Sequence, residues 1–153
     1  MIFVTLGTHH DPFPRLIDAL EGLPAEELVV QHGHSQPSSR AARSVDFLQF
    51  AEMVEQIRGA RVVITHAGVG SILLCLRNGR TPLVVPRLRR HGEHVDDHQV
   101  GLTRALADRG KVIPVWDVDD LPRLVAQAPA PTAPRPPEPG PLHDAVRRAL
   151  YAA

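Results

Sequence analysis

The 153-residue sequence has one cysteine, no excess of either charge and no long hydrophobic run. The single cysteine, Cys75, excludes an internal disulfide framework and fits a reducing compartment. Seventeen basic and seventeen acidic residues give zero formal charge, which argues against a general nucleic-acid-binding protein. No apolar stretch approaches the roughly 18–20 residues that span a bilayer, and the opening MIFVTLGTHH lacks the basic start of a signal peptide. We therefore expect one cytoplasmic globular domain.

Proline and histidine are abundant instead, with 15 and 9 residues. Seven prolines lie in residues 129–141, where fixed φ angles and missing donors predict a semi-rigid extended linker. Apolar residues then recur at helical spacing in residues 142–153, which predicts a short amphipathic helix. The sequence thus indicates a folded body over residues 1–128, a linker and a terminal helix. This helix either docks onto a partner or packs back onto its own domain.

Strand-like and helix-like patterns alternate along the body. Short β-rich runs at residues 2–6, 27–31, 61–65, 82–86 and 111–115 predict five strands, each followed by a helical pattern except the second, where polar residues 32–46 predict a loop. This alternation is typical of right-handed βαβ units. We expect an α/β fold: a Rossmann-like parallel sheet with helices on both faces.

Glycine-bearing loops follow the predicted strands at the sheet edge where ligands of such folds bind. Gly68 and Gly70 allow close approach of a ligand to the backbone, and Ser71 is predicted to cap the next helix. A helix N-terminus there suits a diphosphate. Leu73 stands where a dinucleotide-binding G-x-G-x-x-G motif has its third glycine, and the sequence has no P-loop motif. An NAD domain and a P-loop NTPase are therefore not supported.

Histidines cluster near the same loops. His94 and His98 are four residues apart, which is compatible with metal ligands on one helical face, with polar ligand contacts or with a solvated loop. His66, at a strand end, is either functional or a core histidine. Arg87 and Arg90 are candidates for neutralising an anionic ligand, or are solvated surface residues. We assign no metal site from the sequence.

Together these segments resemble a known family. MIFVTLGTHHDPFPRLIDAL, VDFLQFAEMVEQI, THAGVGSI and PRLRRHGEHVDDHQ resemble the C-terminal, donor-binding half of family 28 glycosyltransferases over about residues 1–125. The likeness extends to the small separate subunits of bacterial exopolysaccharide transferases and to the catalytic subunit of the eukaryotic enzyme that adds the second N-acetylglucosamine to dolichol diphosphate. The resemblance implies one half of a GT-B fold, in which two Rossmann-like domains face a cleft.

The resemblance also implies roles for individual residues. It places the donor diphosphate beside Gly7, Thr8, Gly68, Val69, Gly70 and Ser71, the uracil ring at Leu48, and the donor sugar at Asp97, His98 and Gln99. It implies no cofactor and no metal, with a UDP-sugar as the donor substrate and inverting transfer to a lipid-linked acceptor. The general base of relatives belongs largely to the other half of the cleft, although His9 or His10 could reach into it.

Two further expectations follow from the resemblance. A separate, membrane-anchored chain supplies the N-terminal half and holds this subunit at the inner face of the membrane. Relatives carry an acidic residue for the ribose hydroxyls five residues before the glycine that ends the third helix, where this sequence has Leu74. Asp46 or Glu52 could substitute for it. A non-catalytic nucleotide-sugar-binding or regulatory subunit is the alternative, and a UDP-N-acetylglucosamine epimerase is a more distant one.

Overall fold

The computed structural model describes residues 1–135, so the predicted helix at 142–153 and the end of the predicted linker lie outside the described residues. Six strands are present: β1 (Ile2–Thr5), β2 (Leu28–Gln31), β3 (Arg43–Val45), β4 (Val62–His66), β5 (Leu83–Val85) and β6 (Ile113–Pro114). Five helices accompany them: α1 (Pro14–Ala19), α2 (Phe50–Gly59), α3 (Val69–Arg77), α4 (His98–Asp108) and α5 (Leu121–Ala126). Short 3₁₀ turns occupy Leu20–Gly22, Arg89–His91 and Val118–Asp120.

All six strands are parallel and form one sheet in the order β3-β2-β1-β4-β5-β6. The predicted α/β, Rossmann-like class is confirmed. The chain builds the sheet outward from β1 to β3 and then returns to add β4 on the other side of β1. This reversal creates a crevice between the loops that follow β1 and β4, which is where open α/β sheets bind ligands.

The prediction of a loop throughout residues 32–46 is wrong, because β3 pairs with β2 in this stretch. The strand has only three residues, lies at the sheet edge and has no buried side chain. Its sequence, Arg43-Ser44-Val45, has a single apolar residue and therefore no strand-like apolar pattern. Backbone pairing with the buried β2 stabilises it, and pairing of this kind leaves no pattern in a local sequence window.

Apolar side chains on both faces of the sheet form the core, as expected for parallel strands covered by helices. On one face, Ile2, Val4 and Ile64 pack with residues of α1 and α5. On the other face, Phe3 and Val63 belong to a cluster shared with α2 and α3, and a second cluster joins β5 to α3 and α4. The rigid central strands thereby fix the loops at their carboxyl ends.

The extended segment after α5 runs back along the domain. The Thr132 amide donates to the Gly79 carbonyl at 2.9 Å, and the Arg135 amide donates to the Arg77 carbonyl at 2.9 Å. These bonds hold the first part of the proline-rich segment against the end of α3. Within residues 1–135, no helix is long and apolar enough to cross a membrane.

Candidate functional site

An open cavity of about 430 Å³ lies at the carboxyl edge of the sheet, in the crevice between β1 and β4. Its volume is in the range of small-molecule sites. Its walls come from the loop after β1, the end of β2, the segment before α2, the start of α3 and the start of α4. The lining residues are Gly7, Thr8, His9, Gln31, Phe47, Leu48, Met53, His66, Gly68, Gly70, Ser71 and Gln99.

The floor of the cavity is made by His66 and two glycines. His66 ends β4, and a Cβ added at either Gly7 or Gly68 would run into its imidazole ring. Gly7 also has a φ of 71°, a conformation that disfavours other residues. Glycine is therefore required at both positions, and the backbones of the two loops lie directly on the histidine ring.

His66 is neutral in the folded protein. Its side chain is buried, with 8% of the residue exposed, and burial is the main reason that its pKa falls to about 3. The positive charge of Arg87 lowers the pKa further, as do His9 and His94. Nδ1 of His66 has no hydrogen-bond partner among the described residues. This unpaired polar atom is itself buried.

Gln31 fastens two walls of the cavity to the sheet. It is buried at the end of β2, where its Oε1 accepts a hydrogen bond from Thr5 Oγ1 at 2.6 Å. Its Nε2 donates to the Gly7 carbonyl at 3.1 Å and to the Asp46 carbonyl at 2.7 Å. One side-chain amide thus sets the position of the glycine loop and of the segment that leads to Leu48.

The N-terminus of α3 opens onto the cavity. Gly68 is its N-cap residue and no side chain caps the helix, so the prediction that Ser71 is the cap is wrong. Ser71 instead lies inside the first turn and lines the cavity. The first helical hydrogen bond runs from Ile72 to the Gly68 carbonyl, which leaves the preceding amides without intrahelical acceptors. These amides and the helix dipole favour an anion here.

Arg87 is buried and lies outside the cavity lining, which corrects the interpretation that it contacts an anionic ligand or is solvated. The residue is 1% exposed, and its guanidinium donates to the carbonyls of Leu6 (3.1 Å), Asp11 (2.8 Å) and Glu93 (3.1 Å). It also lies over the Phe13 ring, 4.8 Å from the centroid. Arg87 therefore clamps both ends of the loop that carries Gly7 and His9.

The predicted sugar-binding residues fall in different places. Gln99 is buried and lines the cavity, and its Oε1 accepts from the Arg87 amide at 2.9 Å. Asp97 accepts from the Arg89 amide at 3.0 Å and so braces the loop before α4. His98 is exposed and points its Nδ1 to Asp96 at 3.2 Å. Asp97 and His98 lie outside the cavity lining.

Four titratable side chains gather at the edge of the cavity. His9 Nε2 lies 3.0 Å from Asp11 Oδ2, and His10 Nε2 lies 3.5 Å from Asp11 Oδ1. The His94 ring stacks on His9 with a centroid distance of 4.8 Å. Within residues 1–135, His9, His10 and Asp11 are the group whose potential metal-binding atoms lie within 4.8 Å of one another. The pairing of His94 and His98 on one helical face, which their spacing allows, is absent, because α4 begins at His98 and His94 precedes it.

The apolar end of the cavity is formed by Leu48, Phe47 and Met53. Leu74 lies outside the lining and packs with Leu48 and Met53 against the core cluster between α2 and the sheet.

Neither acidic substitute for Leu74 reaches the cavity lining. Asp46 accepts from the Phe47 amide at 2.7 Å. Glu52 accepts from the Gln49 amide at 2.9 Å.

The structure thus brings most of the predicted residues together. Eight of them line the cavity: Gly7, Thr8, His9, Leu48, Gly68, Gly70, Ser71 and Gln99. Val69 begins α3 but packs against the core cluster of that face. Gln31, Phe47 and Met53 had no predicted role, and His66 had an undecided one. The sequence feature that could have identified Gln31 and His66 is a polar side chain at the end of a largely apolar strand.

The model of the glycosyltransferase family 28 C-terminal domain matches residues 1–126. The matched range runs from β1 through α5 and includes every residue that lines the cavity. No curated protein matches the chain. The matched range, the all-parallel Rossmann-like sheet and the glycine loops at its switch point agree with one another. The chain belongs to the glycosyltransferase family 28 C-terminal domains.

Proposed function

We propose that the chain is the donor-binding and catalytic subunit of a two-component glycosyltransferase that uses a UDP-sugar. The observation that carries this proposal is the pairing of the Gly7 loop with the uncapped N-terminus of α3 across one cavity. Backbone amides and a helix dipole at a crevice of this kind suit a diphosphate. Membership of a glycosyltransferase family supplies the reaction class.

The two ends of the cavity suit the two ends of such a donor. Leu48 and Phe47 offer an apolar edge for the uracil ring, and Gln99 offers a buried amide for sugar hydroxyls. The diphosphate then lies between Gly7 and the amides of Gly68, Val69, Gly70 and Ser71. Thr8, exposed in the β1 loop, adds a hydroxyl on the same side.

The proposed reaction is an inverting displacement at the anomeric carbon, with UDP as the leaving group. The amides at the start of α3 stabilise the charge that develops on the departing diphosphate, a role that a divalent ion has in other enzymes. We therefore propose that transfer needs no metal and no cofactor. EDTA should leave the transfer rate unchanged, and loss of activity that Mg²⁺ restores would contradict this part of the proposal.

The second half of the cleft is proposed to come from a separate, membrane-anchored chain that also binds a lipid-linked acceptor in exopolysaccharide or glycolipid synthesis. The support is that the matched family is a C-terminal domain, and that the GT-B fold implied by the resemblance has a second domain facing the cleft. Phe50, 74% exposed, and Val95, 71% exposed, lie close in sequence to cavity-lining residues and give this edge apolar surface for the facing domain. The partner would hold this subunit at the inner face of the membrane.

Co-expression tests the two-component proposal. The full chain would be produced with the membrane protein encoded beside it and supplied with radiolabelled UDP-glucose, UDP-galactose, UDP-glucuronic acid and UDP-N-acetylglucosamine. A co-purifying complex that labels the lipid fraction of the source organism's membranes is expected. No complex and no transfer from any donor would contradict the proposal.

The aliphatic, partly buried Leu74 favours a second candidate, a non-catalytic nucleotide-sugar-binding or regulatory subunit. The aliphatic side chain at this position cannot accept a hydrogen bond from a ribose hydroxyl, and a bond to a charged group contributes about 1.5–3 kcal/mol. Calorimetric titration with UDP tests whether the donor site is intact, because binding by Leu74→Glu and not by the wild-type chain would show a degenerate site. Sugar transfer by the reconstituted complex separates the enzyme from a non-catalytic binding subunit, which would bind UDP without transferring sugar.

A further inference from the structure

We infer that His9 is the general base of the transfer, that its Nδ1 takes the proton of the acceptor hydroxyl, and that Asp11 orients its ring. This inference rests on the proposed function and names a residue for its proton transfer. It also places the base on this chain rather than on the facing domain. The geometry of His9, Asp11, His94 and Arg87 around the loop after β1 carries it.

Asp11 sets the tautomer of His9. The carboxylate oxygen Oδ2 lies 3.0 Å from His9 Nε2, and the hydrogen bond from His9 is the main reason that the pKa of Asp11 lies below its usual value. An ionised carboxylate only accepts hydrogen bonds, so Nε2 carries the ring proton. The lone pair of His9 is consequently on Nδ1.

Two contacts hold the His9 ring in place. The His94 ring stacks on it with planes 21° apart, and His94 Nδ1 is itself 3.1 Å from Asp96. Arg87 fixes the ends of the loop through the carbonyls of Leu6 and Asp11. A catalytic base needs this preorganisation, because its lone pair must point at the reacting proton.

The other histidines of this region suit the task less well. His66 lines the cavity, but burial lowers its pKa to about 3, which makes it a weak base. His10 is 75% exposed and is outside the cavity lining, as is His98. His9 combines an ionised partner with a place in the lining of the same cavity as Gly68 and Ser71, where the diphosphate is proposed to bind.

The proposed step balances without any further reagent. The O–H bond of the acceptor breaks and its proton passes to His9 Nδ1, while the oxygen forms a bond to the anomeric carbon. The bond from that carbon to the diphosphate oxygen breaks, and UDP leaves with the electron pair. His9 then carries a positive charge next to Asp11 and returns the proton to solvent.

The test uses the complex of the full chain with its membrane partner, radiolabelled UDP-sugar and acceptor membranes, together with UDP titration of each variant. We expect His9→Ala to lower kcat by about 10²–10⁴-fold while the Kd for UDP changes by less than about threefold. Asp11→Asn should lower kcat by about tenfold or more, because the neutral amide can also donate to Nε2 and so no longer fixes the tautomer that leaves the lone pair on Nδ1. Added imidazole should restore part of the activity of His9→Ala.

His10→Ala is the matched control, since His10 contacts the same carboxylate from outside the cavity lining. Its kcat should stay within about threefold of wild type. The inference is overturned if His9→Ala also stays within about threefold, or if its kcat and its UDP affinity fall together. Failure of the wild-type chain to bind UDP, or of its complex to transfer sugar, would instead overturn the proposed function.

Discussion

The imidazole ring of His66 occupies the space in which a side chain at Gly68 would lie. The two residues are at opposite ends of one short turn between β4 and α3, and Gly7 of the β1 loop contacts the same ring. The histidine thus makes two glycine loops parts of one rigid cavity floor. This contact brings both backbones to the lining of one cavity.

Replacing Gly68 should damage the cavity selectively. A Gly68→Ala methyl group would meet the His66 ring, so the loop must move, and we expect UDP affinity to fall about tenfold or more. Gly101→Ala is the control, because the Gly101 position in α4 has no atom within 4 Å of an added Cβ. That variant should keep UDP affinity and gain about 0.5–1 kcal/mol of stability. Titration calorimetry and thermal unfolding measure both effects. Equal UDP affinities of Gly68→Ala and Gly101→Ala would contradict the claim that the contact between Gly68 and the His66 ring shapes the binding cavity.

The stability of the protein should decrease as the pH falls from about 6.5 toward 3. His66 has a folded-state pKa of about 3 against 6.5 in the unfolded chain, so the unfolded state binds a proton that the folded state excludes. The free energy of unfolding is therefore unaffected by His66 above the unfolded pKa of 6.5, and it falls progressively as the pH drops from there to the folded pKa of about 3.

NMR shifts of the His66 ring measure its titration directly. They should stay constant from pH 8 to about pH 4.5, well above the folded pKa. A titration near neutral pH would show that the ring is more solvated than the structure indicates.

Arg87 should contribute strongly to stability. Arg87→Met leaves the buried carbonyls of Leu6, Asp11 and Glu93 without its hydrogen bonds, and we expect a loss of about 3 kcal/mol or more in the free energy of unfolding. The exposed Arg90 provides the comparison, since Arg90→Met should change stability by less than about 0.5 kcal/mol. Urea unfolding of both variants measures the difference. Similar urea midpoints for Arg87→Met and Arg90→Met would contradict the stabilising role of the Arg87 hydrogen bonds.

The central strands could be predicted from the sequence because their residues are apolar on both faces, as in β4. The glycines after β1 and β4 could be predicted as well, since local chain chemistry marks such turns. The edge strand β3 could not, because its three residues include only one apolar side chain and are stabilised by pairing with β2.

The burial of Arg87 was equally hidden from the sequence. Its acceptors include Leu6 and Asp11, which are 81 and 76 residues away along the chain. A local pattern shows only a charged residue, which is ordinarily solvated. The contact of His66 with Gly7 also joins distant segments, so the sequence left the role of His66 open.

Titration of the ¹⁵N-labelled chain with UDP, followed through its amide NMR spectrum, tests the central claim most directly. The account predicts saturable shifts at Gly7 and at the start of α3, from Gly68 to Ser71, and much smaller shifts around Trp116, which lies outside the cavity lining. No saturable shift, or shifts confined to a region away from the cavity, would contradict a nucleotide-sugar donor site between these two loops.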